Sequence, residues 1–123
     1  NFNERYAIHV FRNLIFNTST WKKTRTNFKI NREAERIYKE YGAIDSETYT
    51  AASIYPEYGC AGMISAVELR ESEILMLEVN CYYNKDHHNQ VLEKVDNDEQ
   101  IERLYNQMTK VIDVSRTVRG EFE

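Results

Sequence analysis

Adjacent histidines, His87 and His88, follow directly on a strand-like run that carries Glu78 and Asn80 on one face. Histidine changes charge near neutral pH, and a carboxylate in a covered position can take up or return a proton. Neighbouring residues on a helix point about 100° apart, so both imidazoles do not serve one metal ion. Ligand pairs on a helix sit three or four residues apart. The pair is therefore expected to divide, with His88 packed inward and His87 capping the helix or facing water. The chemical alternative gives His88 a metal-binding or acid–base role, with Glu78, Glu47 or His9 as its partner from a strand. No metal site and no cofactor is expected.

Glu78 and Asn80 invite two readings. A carboxylate on a covered strand needs a partner, or its pKa rises. One reading is an ion pair across a subunit interface, with Arg116 or Arg119. The other is a small-molecule pocket in which Glu78 is the base and Tyr49, Asn80, Tyr82 and Arg116 bind the ligand. Arg12, Arg116 and Arg119 have the chemistry to clamp a carboxylate or phosphate, and equally suit solvated strand edges. Cys81 falls on an apolar strand face and reads as inert core. Cys60, beside glycine, is more exposed but has no basic neighbour to activate it. Gly59-Cys60-Ala61-Gly62 lacks the lysine and hydroxyl residue of a phosphate-binding loop.

The elements that must position these residues follow from periodicity. Tyr6 to Phe16 alternates and is rich in β-branched and aromatic residues, which predicts a strand. Asn17 to Thr20 is a turn with several possible N-caps. Trp21, Phe28, Ala34, Ile37, Tyr38 and Tyr41 recur at helical spacing, and Gly42 stands where a helix terminates; a break near Asn27 or Asn31 fits the pattern as well. Ala43 to Ser53 alternates polar residues and predicts a strand at an edge or beside a pocket. Tyr55 to Gly59 and Arg70 to Glu73 are turns, and Met63 to Leu69 reads as a short strand. Ile74 to Tyr83 is the clearest strand, with Leu75, Leu77, Val79, Cys81 and Tyr83 on one face and Ile74, Met76, Glu78, Asn80 and Tyr82 on the other. Asp86 is a candidate cap for a helix with His88, Val91, Leu92 and Val95 inward. Asp96-Asn97-Asp98 ends it. Glu99 to Val114 forms a further helix, and Ser115 to Glu123 closes as a strand.

At 123 residues the chain has the size of one domain. A composition of 41% hydrophobic and 29% charged residues is that of a soluble protein. The net charge of −4 argues against a nucleic-acid partner. Lys22, Lys23, Arg25, Lys29, Arg32, Arg36 and Lys39 concentrate basic charge on one helix, with Arg12 just before it. Such a run is read as a solvated face, with an interaction surface for a polyanion as the weaker alternative. Two cysteines without metal or redox spacing fit free thiols in the cytoplasm. No apolar run reaches the about eighteen residues that span a bilayer, and no signal peptide is visible. The chain opens at Asn1 rather than methionine, which leaves room for residues upstream.

Strand, long helix, two strands, helices and strand is the order of an α+β, ferredoxin-like split βαβ fold with an antiparallel sheet. Helices cover one sheet face. The mixed face with Ile74, Met76 and Tyr82 is too apolar to stay wet, so sheet-to-sheet packing in a homodimer is expected there. Glu40-Tyr41-Gly42-Ala43-Ile44, the stretch from Leu77 to Asp98, and Val118 to Glu123 add a resemblance. In these segments the chain resembles the bacterial domain of unknown function 1428 family, within the dimeric α/β-barrel superfamily. There a helix ends in a similar Tyr-Gly-Ala turn, and a strand runs into a histidine-containing helix with a Lys-Val-x-x-Asp ending, as at Lys94 to Asp98. The paired histidines and the segment from Gly59 to Gly62 depart from that pattern. The resemblance implies a ferredoxin-like protomer in a dimeric α/β barrel, and no established reaction. Two function classes are expected: a cofactor-independent oxygenase, isomerase or lyase using Glu78 or His88 as proton shuttle, or a non-catalytic ligand-binding or stress-related dimeric module.

Overall fold

The computed structural model describes residues 5–14, 18–69 and 73–123, with side chains described from residue 25 onward. The elements run β1 (Arg5–Leu14), α1 (Thr18–Glu40), β2 (Asp45–Thr50), α2 (Met63–Ala66), β3 (Glu73–Tyr82), α3 (Lys85–Asp96), α4 (Glu99–Met108) and β4 (Val118–Phe122). The strands form one antiparallel sheet in the order β2-β3-β1-β4. This is the ferredoxin-like arrangement, in which the first and third strands are central. The turn expected at Arg70 to Glu73 lies largely outside the described residues, as do Phe16 and Asn17.

Helices α1, α3 and α4 lie on one face of the sheet. Asn27 of α1 donates its amide to the Met76 sulfur at 3.4 Å, and Ile112 packs on Met76 beside Phe28 and Met108. Tyr82 is buried with Val91 and Val95 of α3, with Tyr38 and Tyr41 packed against them. Met76, Glu78, Asn80 and Tyr82 therefore point toward the protein's own helices. This reverses the expectation that the mixed face of β3 meets a second subunit. The reason lies in α1, whose inward stripe carries buried Asn27 and Asn31 and so matches a partly polar sheet face. Those same asparagines do not break the helix, which continues to Glu40. On the opposite face, Leu75 packs with Val67, Ile54 and Leu69, while Val118 and Phe122 are exposed.

Four local differences from the sequence reading have simple causes. Met63–Ala66 is a short helix rather than a strand. It starts where Gly62 lies against the 54–56 backbone, so closely that a Cβ would stand 2.3 Å from the Ile54 carbonyl oxygen. Asn84, not Asp86, caps α3, accepting the His87 N–H at 2.9 Å. The last helix ends at Met108, and a 3-10 turn at Val114–Arg116 intervenes before β4. In that turn the Asp113 carboxylate accepts the Ser115 N–H at 3.0 Å and competes with helical continuation. Gly42, at a φ of 114°, ends α1 as expected. Among the described residues no helix is long and apolar enough to cross a membrane.

Candidate functional site

A cavity of about 320 Å³ opens between the sheet and the helices. Ile30 and Tyr38 of α1 form one wall, and Ile101, Leu104, Tyr105 and Met108 of α4 form the other. Val114 and Thr117 stand at the approach to β4. The sheet contributes two charged side chains, Glu78 from β3 and Arg119 from β4. Strand register explains their meeting. Thr48 is opposite Glu78, Glu78 is opposite His9, and His9 is opposite Arg119. One row across all four strands thus carries a hydroxyl, a carboxylate, a histidine position and a guanidinium. The side chain of His9 lies outside the described residues.

Glu78 is positioned from below. The Ser46 hydroxyl donates to Asn80 Oδ1, and Asn80 Nδ2 donates to Glu78 Oε1 at 2.8 Å. The serine bond fixes which end of the amide faces the carboxylate, because Oδ1 can only accept and Nδ2 can only donate. Ser46 and Asn80 are both buried. Arg119 Nη2 donates to Glu121 Oε2 at 2.8 Å, and Glu121 Oε1 lies 3.6 Å from His88 Nδ1. The buried His88 ring stacks on Tyr82 with centroids 4.2 Å apart and planes 17° from parallel. His87 stands outside this group. It is half-buried beside Tyr82 and Tyr83, and its Nδ1 accepts the Tyr83 N–H at 3.0 Å.

The electrostatics favour protonated phenols. Burial pushes the Tyr38 hydroxyl well above the usual tyrosine value, and the Glu78 and Asp96 charges add to the effect. Burial likewise raises Tyr82, followed by Tyr38 and Glu78. Both rings stay hydrogen-bond donors throughout the physiological range. The Tyr82 hydroxyl is buried without a hydrogen-bond partner among the described residues. On α1, burial also holds the Glu35 carboxyl above its ordinary value, and the Glu47 and Glu78 charges contribute in the same direction. Among the described residues no group of three histidine, cysteine, aspartate or glutamate side chains is placed to hold a metal ion.

Of the six residues singled out from the sequence, Glu78 alone lines this cavity. Asn80, Tyr82 and His88 surround it from beneath, each buried. Asn80 is engaged with Ser46 and Glu78 rather than open to a ligand. Tyr49 pairs in register with Leu77, so it belongs to the opposite sheet face, where it is exposed. A one-residue change of parity sends a strand side chain to the other side. Arg116 is also elsewhere. It holds the buried Glu73 carboxylate through two hydrogen bonds, that from Nη2 to Oε1 measuring 2.9 Å. Sequence reasoning passed over Tyr38 as helix packing and took Arg119 as an ion-pair partner across a subunit interface or a clamp for an anion, not as part of a cavity with Glu78. The signal for Tyr38 was a phenol on the inward stripe of α1, where an aliphatic residue would pack without a polar tip. Arg119 had no local signal, since only its pairing with β1 aligns it with Glu78.

This sheet order, with helices on one face and a cavity between the layers, defines an α+β protein of ferredoxin-like type. The chain belongs to the family described as Protein of unknown function (DUF1428), whose model matches residues 17–113. It is similar in structure to a mutant of SnoaB, a cofactor-independent oxygenase from Streptomyces nogalater. That match has a TM-score of 0.54 and 7% identity, covering 98% of this chain and 92% of the other. A conserved protein from Methanosarcina mazei gives a TM-score of 0.52 and 14% identity, covering 96% of this chain and 91% of that one. At such identities the likeness is one of fold. No curated protein matches the chain in sequence.

Proposed function

We propose that the protein binds a small, largely apolar molecule in the cavity between sheet and helices, and that Glu78 acts on it as a proton acceptor. The reaction class is that of a cofactor-independent enzyme, an oxygenase, isomerase or lyase. The observation that carries this reading is that Glu78 and Arg119 both line a cavity whose other walls, Thr117 aside, are aliphatic and aromatic. A few converging polar groups in an apolar pocket are the usual form of a small-molecule site. SnoaB, whose fold is similar, is a cofactor-independent oxygenase, which supports the same class.

The 123 residues act in this proposal as one domain. Two copies pair through the sheet face that the helices leave open. That face carries exposed Val118, Phe122 and Tyr49 beside half-buried Leu77 and Val79. The two cysteines, exposed Cys60 and buried Cys81, fit thiols in a reducing cytoplasm.

A non-catalytic ligand-binding module is the second reading. Asn80 already holds Glu78, and Glu121 already holds Arg119, an arrangement that suits recognition without chemistry. Native mass spectrometry of gently purified protein tests the binding claim. A defined extra mass on the wild type that is lost in Glu78→Gln, with folding intact, is expected. An unliganded wild type that also binds no member of a small-molecule panel would overturn both readings. Ligand retained by a Glu78→Gln variant that is unchanged in its action on that ligand would leave the binding module.

A further inference from the structure

The polar residues lining the cavity are Glu78, Arg119, Tyr38, Tyr105 and Thr117, and three of them carry the argument. Glu78 of β3 is an anionic acceptor, while Tyr38 of α1 and Arg119 of β4 are donors. The walls supplied by Ile101, Leu104 and Met108 are aliphatic, which strengthens electrostatic interactions inside by keeping the local dielectric low. Asn80 fixes the Glu78 carboxylate by its bond to Oε1 at 2.8 Å, so the acceptor is held in place before a ligand arrives. Burial, reinforced by the Glu78 charge, keeps the Tyr38 phenol protonated, so it remains a donor beside the base. A carboxylate fixed by Asn80, in a cavity that a buried phenol and an exposed guanidinium paired with Glu121 also line, suits one kind of chemistry in particular. It removes a proton from a weak carbon acid while the negative charge that develops on oxygen is met by donors.

We infer that the substrate class is a compact, enolisable ketone, with Glu78 exchanging the proton on the carbon next to the carbonyl and Tyr38 and Arg119 holding its oxygen. This rests on the cavity reading above and deepens it. In the step, Glu78 takes the proton as the C–H bond breaks. The freed electron pair forms the C=C bond, and the carbonyl π pair moves to oxygen. Tyr38 and Arg119 then hydrogen-bond an enolate. Return of the proton from Glu78 to the same or a conjugated carbon restores the carboxylate and completes an exchange or an isomerisation. No oxidant or reductant enters.

The test uses 2-tetralone, an uncharged bicyclic ketone, incubated with the full chain in deuterium oxide. Proton NMR follows loss of the hydrogen between ring and carbonyl, and titration calorimetry gives the affinity. Wild type is expected to accelerate exchange over buffer. Glu78→Gln is expected to lose about a hundredfold or more of that acceleration. Tyr38→Phe is expected to lose about tenfold to a hundredfold while its affinity for the probe changes little. Circular dichroism melts confirm that each variant is folded, and Glu78→Asp, which keeps the carboxylate, is expected to recover part of the rate. Binding with exchange no faster in wild type than in Glu78→Gln overturns the inference and leaves a binding site. Failure of 2-tetralone to bind, when the apolar probe 8-anilinonaphthalene-1-sulfonate does bind and is lost on Leu104→Arg, overturns the ketone class and leaves the cavity. Binding of neither probe overturns both.

Discussion

Asn80 carries a burden that its type and spacing understate. Its amide accepts from Ser46 and donates to Glu78, and all of this happens on the covered side of β3. Asn80→Ala removes both bonds and leaves a buried serine hydroxyl and a half-buried carboxylate short of a partner. A loss of about 1–3 kcal/mol in urea unfolding is expected, with Ser46→Ala costing less because only one bond goes. A similar cost in Ser46→Ala and Asn80→Ala would contradict the directional chain described here. Gly62 sets a second residue-scale constraint of a steric kind. A side chain there would stand 2.3 Å from the Ile54 carbonyl oxygen, so the backbone must move to admit it. Gly62→Ala is expected to destabilise by about 2 kcal/mol or more, measured by the same unfolding experiment.

Among the elements, the joint between α1 and α4 concentrates on Asp98. Its carboxylate caps α4 by accepting from the Gln100 and Ile101 N–H groups at 2.8 and 3.1 Å. It also accepts the Tyr41 hydroxyl at 2.6 Å, which ties the last turn of α1 to the start of α4. The Tyr41 bond, followed by the two backbone bonds, holds the Asp98 carboxyl below its ordinary value. A pKa lowered on folding means that the unfolded chain binds the proton more readily. The associated stability is present above the ordinary aspartate range near pH 4 and is lost as pH falls through the depressed folded value. Thermal melts between pH 7 and pH 2 are expected to show this loss. Tyr41→Phe is expected to melt lower at pH 7 and to show a shallower decline into acid. An equally steep decline in that variant would remove Asp98 from the account.

For the whole molecule, the decisive fact is which sheet face the helices cover. They cover the mixed face, and the opposite face presents Val118, Phe122 and Tyr49 to solvent. The proposed dimer must therefore form on that side, away from Glu78. Phe122→Lys places a charge on the β4 edge of that face. Sedimentation velocity is expected to show a dimer for the wild type and a monomer for Phe122→Lys, with the cavity and its ligand binding retained. A wild-type monomer at micromolar concentration would refute the paired-sheet assembly. Retention of the dimer in Phe122→Lys would move the interface elsewhere.

Local patterns in the sequence were enough to mark the principal strands and helices, because each carries its own period. The alternation of Ile74 to Tyr82, the helix that ends before Gly42, and the inward set of His88, Val91 and Val95 all reappear in the structure, whereas Tyr83 lies beyond the strand. Family membership was legible in the same way, from ordered local segments. Met63–Ala66 was not, since the close approach of Gly62 to residues 54–56 that precedes it is a contact between separate parts of the chain. Nor was the composition of the cavity. Period-two alternation says which residues of a strand share a face, but it does not say which face meets the helices or which residues of neighbouring strands stand opposite. Only pairing in three dimensions puts Arg119 in the row of Glu78, sends Tyr49 to the far side, and gives Arg116 to Glu73. The sequence determined the elements, whose causes are local; the tertiary structure decided the site, whose members come from β3, β4, α1 and α4 and share no local signal.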